Sequence, residues 1–515
     1  MAGNEGPGAG SVRLASAAGR WVLAVAVLGD SLILLEATVV NVALPTIGRD
    51  LHASVAGLQW TLNSYVLTLA ALVLVGGSLS DIYGRRRMLI LGVVVFVAAS
   101  ALCAAAPTIG LLIAGRFVQG IGGALLTPGS LAIIEAVFHP DDRTRAIGAW
   151  AGLGAVAGAI GPTVGGYLTD AVSWRAVFLI NVPLGIFVVV AAVLHVPETR
   201  DPTRAGHLDL AGAALATLTI GGVCFALTEA SGGLTPVIAA AAVGLAAAAA
   251  FVAVERRAAN PMLPLELFRS RQFASANVLA LVAYAALGGV IFLFVAFLQI
   301  TLGYSAVQAG AATLPITLLL LTLSSPSGAI AQRIGPRIPL TAGALVTGAG
   351  LLLMAQLHPG DRYLTAVLPA LVVFGVGLGT LITPITATVL ASVDSRHSGI
   401  ASAVNNALSR LGQMIAVAAL PLVAGLSGSA FEDPARMAAG FPVAMTVAAG
   451  ASFAAALLAW TTISNDALSQ SGTATGHVLK ELPPSLKRNC PVAGTPLAAS
   501  LNAPPSSHSP TTGEP

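Results

Sequence analysis

Lysine is almost missing from this 515-residue chain: there are two, Lys480 and Lys487, each preceded by leucine and both near the C-terminus. No GxxxxGK[ST] phosphate loop can be written, so ATP is not expected to drive the chain by itself. Charged residues of all kinds amount to 9%, against roughly a quarter in a soluble domain, which leaves too little polar surface to cover a soluble globule. The three cysteines, Cys103, Cys224 and Cys490, fall in two separate apolar runs and the tail, which excludes a CxxC motif, a metal-ligand spacing and a disulfide scaffold. All eight histidines sit in loops, at the ends of apolar runs or in the tails. Proton chemistry inside the runs is therefore left to carboxylates.

What the chain has instead is hydrocarbon: 56% hydrophobic residues and a mean hydropathy of +0.86. Its apolar runs of roughly 20 residues are each long enough to cross a ~30 Å bilayer core, and few segments alternate as strands do, so the class is all-α integral membrane. Fourteen spans are expected, at 21–44, 58–79, 88–106, 110–137, 146–168, 175–195, 209–229, 236–254, 274–300, 309–331, 338–357, 363–391, 400–426 and 440–463. The first is too long for a cleaved signal and lacks an obvious cleavage site. With the N-terminus inside, inner loops and tails hold 19 of the 25 Lys+Arg, outer loops hold Arg49, Arg175, Arg362 and Arg436, and Arg116 and Arg410 lie within spans. Positive charge is retained on the cytoplasmic side, so both termini are expected there. Low lysine and high alanine point to a GC-rich bacterial genome, hence to a bacterial inner membrane. The segment from 464 to 515, rich in Pro, Ser, Thr and Gly, is expected to be a disordered cytoplasmic tail.

Several loops and spans carry ordered motifs. Spans 2 and 3 are joined by GSLSDIYGRRRML, in which Gly77 would admit a neighbouring helix, Asp81 can cap a helix or pair with arginine, Gly84 permits a tight turn, and Arg85 and Arg87 lie on the basic side. Topology alone accounts for the arginines but not for the order G-x-L-x-D-x-x-G-R-R. Span 4 reads LIAGRFVQGIGGA and span 5 reads GLGAVAGAIGPTVGG. In span 5, Gly158, Gly161 and Gly165 recur at helical spacing, leaving a nearly bare backbone face for a neighbour, and Pro162 should kink the helix.

Charges within spans are costly, about 2.5–3.5 kcal/mol at mid-helix on insertion scales, and persist with a partner or a task. Span 1 holds Asp30 and Glu36; span 4 holds Arg116. Glu36 and Arg116 each lie eight residues from the outer ends of their spans, a matched depth of about 12 Å. Asp30 lies eleven residues before Asn41, which places the two within ~20° on one helical face with Ala37 between them, and Glu36 ~120° away. One stripe lines a cavity and the other a helix contact; sequence alone leaves open which. Glu229, at the outer end of span 7, reads as a solvated helix end. Glu135, Asp141 and Asp142 read as topology and loop charges rather than metal ligands.

The loop between spans 2 and 3 resembles the signature loop of the major facilitator superfamily. Spans 4 and 5 resemble two further signatures of that superfamily, the latter associated with antiporters. LEATVVNVALP in span 1 is similar to the first-helix signature of its fourteen-helix drug:proton antiporter family, with Glu36 where aspartate is more usual. NPMLPLELF, FLQITLGYSAVQAG and GIASAVNNALSRLGQ, which contains Arg410, extend the resemblance from about residue 20 to 463. The second-half loop GAIAQRIGPR, with Gly328, Arg333, Gly335 and Arg337, lacks the aspartate, so coupling is expected in the first half.

The resemblance implies two six-helix bundles of inverted repeats, at 21–195 and 273–463, with two extra helices inserted in the region 196–272 and a short cytoplasmic segment at 1–20. It implies that helices 1 and 4 lie side by side, that Glu36 and Arg116 pair or share protons, and that Gly158, Gly161, Pro162, Gly165 and Gly166 seal the cavity. The expected activity is proton-driven efflux of a small hydrophobic or amphiphilic compound such as an antibiotic, without cofactor, ATP, metal or nucleic acid. A monomer is the family expectation. The rivals are a proton symporter importing a metabolite, against which the span 5 signature argues, and an integral-membrane transferase, for which the loops offer no motif.

Overall fold

The computed structural model describes residues 12–200, 210–229, 233–257, 265–393, 398–428 and 430–465. The tail from 466 onward and most of NPMLPLELF lie outside the described residues. Within them the chain is helical: α1 (Ala17–Asp50), α2 (Val55–Tyr83), α3 (Arg85–Ala104), α4 (Ile109–Val137), α5 (Pro140–Ala171), α6 (Ala176–Leu179), α7 (Asn181–His195), α8 (Leu210–Thr228), α9 (Leu234–Glu255), α10 (Arg271–Ile300), α11 (Ala306–Ala312), α12 (Leu314–Ile334), α13 (Arg337–Met354), α14 (Leu368–Ala391), α15 (Ser398–Val423) and α16 (Pro434–Thr462). Among the described residues thirteen helices are long and apolar enough to cross a membrane, and α2, bent by 51° between Val73 and Val75, makes fourteen. The sixth span is α6 with α7 and the tenth is α11 with α12.

The helices overrun the expected spans because capping residues, not the limits of apolarity, start them. Ser16 accepts from Gly19 N, Ser54 from Gly57 N and Thr108 from Leu111 N, each satisfying an amide that the first turn leaves unpaired. Pro162, expected to kink its helix, lies within the continuous α5; the sharp bend of this half falls in α2.

Helices α1 to α7 pack on one another, as do α10 to α16, and the α8–α9 hairpin touches α2 and α15. One end of the molecule carries the α2–α3 and α4–α5 turns with their arginines and is called here the basic end. There each bundle has its own core, around Phe96, Ile133 and Val188 in the first and around Phe273, Leu340 and Ile385 in the second. Toward the opposite end a single core joins the bundles, mixing Val39, Leu44 and Phe178 with Phe294, Phe374 and Phe441. The N-terminal segment is pinned at the basic end by a bridge between Val12 and Phe138 and an ion pair between Arg13 and Asp141, 3.1 Å.

Candidate functional site

Glu36 and Arg116 meet, as their matched depth requires. Arg116 Nη1 donates to Glu36 Oε1, and both side chains are sealed from solvent, at 1% and 0% exposure. The pair is the centre of a larger cluster. Arg116 Nη1 also donates to Gln119 Oε1 (2.7 Å), one turn along α4, and its Nε donates to the carbonyl of Thr61 on α2 (2.9 Å). Asn181 Nδ2 donates to Glu36 Oε2 (2.6 Å), and Gln119 Nε2 donates to Ser100 Oγ on α3 (2.8 Å). The guanidinium lies 4.4 Å from the centroid of the Tyr65 ring. Five spans of one bundle thus converge on one carboxylate, whose two oxygens are both satisfied, as a buried charge requires. Sequence reasoning missed Thr61, Tyr65, Ser100, Gln119 and Asn181. Gln119 was legible as a polar residue three positions after Arg116; Asn181 is placed by the break between α6 and α7.

The other stripe of α1 faces the space between the bundles. A cavity of about 320 Å³ is lined from the first bundle by Ala37, Thr38, Asn41 and Pro162, and from the second by Gly288, Thr317 and Gln413 among others. Asn41 and Ala37 therefore line the cavity, and Glu36 makes the helix contact. Asp30, half-buried, sits against α5, where a Cβ on Gly154 would lie 3.3 Å from its Oδ2. It interacts electrostatically with Arg410 of α15, on the other bundle, without a direct ion pair. Arg410 is also half-buried, twelve residues from the start of its helix, as Asp30 is thirteen from the start of α1.

The glycine face of α5 brings backbones into contact in two directions. A Cβ on Gly165 would lie 2.7 Å from Val39 Cγ1 and 2.9 Å from the Val39 carbonyl, and one on Gly161 would overlap Thr38. Both press α5 onto α1. Gly166 instead meets the second bundle, where a Cβ would lie 2.5 Å from Val307 Cα. Gly158 is in ordinary contact, 3.8 Å from Leu34 Cβ, and lines the cavity. Beside Gly166, Asp170 accepts at both oxygens from the second bundle, from Ala306 N (3.2 Å) and Val307 N (2.8 Å). Further cross-bundle bonds lie toward the same end: Val55 N to Gly428 O, Gln59 to the Val417 and Ala418 carbonyls, Asn63 to Met414 O, and Gln299 to Val42 O. Nothing in the sequence marks Asp170, an ordinary acid at a helix end.

At the basic end Asp81 pairs with Arg85 through Nη2 (2.9 Å) and Nε (3.1 Å), and Arg85 Nη1 reaches the Ala132 carbonyl of α4. Gly84 has φ +114° and a Cβ there would lie 2.6 Å from Glu198 Oε1, so both its backbone and its neighbour demand glycine. Glu198, missed in the sequence, lies 3.8 Å from Arg86 Nε and 3.7 Å from Arg87 Nε. The close helix approach expected at Gly77 belongs to Gly76, whose Cβ would overlap the Ala124 carbonyl; Gly77 meets Pro128 at 3.6 Å. Glu229 borders a small polar recess with Gln59 and Ser54 at the opposite end. Asp141 and Asp142 bind Arg13 and Leu14 N, and the described residues hold no group of acids, histidines and cysteines fit for a metal.

A family model described as the Major Facilitator Superfamily matches residues 26–417. The chain belongs to that superfamily. Relatives within it include the probable actinorhodin transporter of Streptomyces coelicolor, 38% identical over 80% of this chain and 73% of that protein. The multidrug resistance protein Stp of Mycobacterium tuberculosis is 35% identical, over 79% and 76%. The puromycin resistance protein pur8 of Streptomyces alboniger is 32% identical, over 88% and 93%. Among solved structures, a bacterial homologue of the human lysosomal transporter Spinster has a TM-score of 0.64 at 17% identity, covering 86% of this chain and 96% of that one. The chain is thus a multi-pass membrane transporter of the drug-efflux type, not an enzyme.

Proposed function

We propose that this transporter exports a small hydrophobic or amphiphilic compound in exchange for protons, with no cofactor and no ATP, from a bacterial inner membrane in which both termini are cytoplasmic. The observation that carries the alternating-access reading is the division of cores: the bundles share one core at one end and have separate cores at the other, with a central cavity between them lined by both. With the basic end cytoplasmic, this is the state that receives cargo from inside. The cavity is apolar with a few neutral anchors, Asn41, Thr317 and Gln413, which suits a largely apolar molecule with a few hydrogen-bonding groups. The names of the relatives, a probable actinorhodin transporter, a puromycin resistance protein and a multidrug resistance protein, support an antibiotic as cargo.

The two carboxylates of α1 divide the coupling. Glu36 is the keystone of a cluster that no solvent reaches, and Asp30 is the group that takes up and releases protons, held in balance by Arg410 of the other bundle. A membrane potential contributes about 2.3 kcal/mol per charge per 100 mV, enough for a roughly 50-fold cargo gradient per proton. The test is cargo-triggered proton release from inverted vesicles, using a panel of antibiotics and cationic dyes. Release that is lost in Asp30→Asn and kept by whatever Glu36→Gln protein inserts supports the division. Release that survives Asp30→Asn and fails in well-folded Glu36→Gln moves the proton to Glu36, and no release with any compound counts against proton-coupled export.

A further inference from the structure

A second cavity, about 290 Å³, lies away from the central one, between the seam of the two bundles and the inserted α8–α9 hairpin. Its walls come from three bodies: Ala70 and Ala71 of α2, Ala403 and Ala407 of α15, and Phe251 of α9, with Phe268 from the short turn before α10. Toward the opposite end it is stopped where Leu67, Met414 and Cys224 pack together, beside the Asn63 to Met414 bond. Toward the basic end its last lining residues lead directly into positive charge. Phe251 and Val252 are followed within about one helical turn by Arg256 and Arg257, and Phe268 is followed by Arg269 and, at the start of α10, Arg271. All four guanidinium side chains are exposed and none is in an ion pair among the described residues; the acids nearby are Glu255, which is buried, and Glu266.

The lining offers hydrocarbon and no free polar group: its one hydroxyl, Thr219, already donates to Leu215 O at 2.8 Å. A drug with polar groups finds anchors in the central cavity and none here. A plain alkyl chain suits this cavity, and the hairpin stands in a supply of such chains, since only 22% and 11% of the apolar stretches of α8 and α9 are buried within the protein. We propose that this cavity holds one acyl chain of an anionic phospholipid, whose phosphate is taken by Arg256, Arg257, Arg269 and Arg271 at the mouth. Guanidinium groups pair with phosphate in fork geometry and attract anionic leaflets, each arginine near the surface strengthening the attraction by about fivefold. Because α2 and α15 belong to different bundles, a chain seated between them favours the arrangement in which the cavity exists. The lipid would act as a ligand of one transport state.

The experiment uses the full-length protein in phosphatidylcholine vesicles doped with a trace of either phosphatidylglycerol or phosphatidylcholine bearing a diazirine on one acyl chain, with crosslinked peptides mapped by mass spectrometry. The expected result is labelling of the 403–411 and 216–220 segments severalfold stronger with phosphatidylglycerol. Ala407→Phe, which fills the cavity, should abolish that labelling and leave it unchanged at lipid-facing Leu245, an internal control for folding. Arg256→Ala combined with Arg257→Ala should reduce the preference for phosphatidylglycerol by about tenfold or more. Equal labelling by the two lipids in the unaltered protein overturns headgroup recognition, and labelling of 403–411 that Ala407→Phe leaves intact overturns the seat of the chain. Neither readout requires transport.

Discussion

Asp30 and Glu36 stand six residues apart on one helix and live in different surroundings. Glu36 points into the first bundle, where Arg116, Asn181, Gln119 and Ser100 close around it and exposure falls to zero. Asp30 lies half-buried against α5 and has its opposite charge on the other bundle. A charge satisfied within one rigid body is indifferent to rocking, whereas a charge whose partner rides on the other body is not. The difference teaches that an intramembrane charge is assigned a task by which body holds its partner, not by its presence alone.

The comparison can be broken most forcefully at Glu36. Glu36→Gln leaves Arg116 buried without a counter-ion, and thermal unfolding in detergent should show a loss of about 3–5 kcal/mol, as for other broken buried pairs. A variant as stable as the parent would mean that the cluster is hydrated or loosely held. Next in size is the packing that presents α1 to α5: Gly165→Leu forces a side chain into Val39 and should destabilise by about 1–3 kcal/mol, while Gly158→Ala, in ordinary contact, should be neutral. Smaller still is the bundle contact at the opposite end. Asp170→Asn retains one acceptor and loses the charge that receives two amides, which should shift the balance toward an open gate by about 1–2 kcal/mol. Cysteine accessibility at Thr163, beside the Gly310 contact, would rise about tenfold. Least of all for stability, Asp30→Asn should change it by under about 1 kcal/mol while removing proton release, the pairing of outcomes that most sharpens the contrast with Glu36.

Much of the fold was legible because a bilayer restricts the choices. Apolar runs of the right length, arginines on alternate loops and the glycine pattern of α5 were enough for the count of spans and their order. The Glu36 to Arg116 pair was legible because equal depth in two neighbouring helices leaves few alternatives for two buried charges. The cluster around that pair was less so, since Ser100, Thr61 and Asn181 are common residues whose meaning depends on four other helices. Asp170 and Glu198 were invisible for the same reason, their partners lying 137 and 112 positions away.

Composition and spacing by themselves determined that this chain crosses a membrane about fourteen times, that histidine is kept out of the interior of its spans, and that α5 presents bare backbone to a neighbour. Each follows from local rules: hydrocarbon length, the cost of charge in lipid, and the volume of a side chain. Only the tertiary structure decided which stripe of α1 faces the cavity, which glycine meets which bundle, and that an apolar recess opens between the seam and the inserted hairpin beside four arginines. Those are relations between helices distant in sequence, and the angle at which each helix is turned is set by packing against its neighbours, which no single helix encodes.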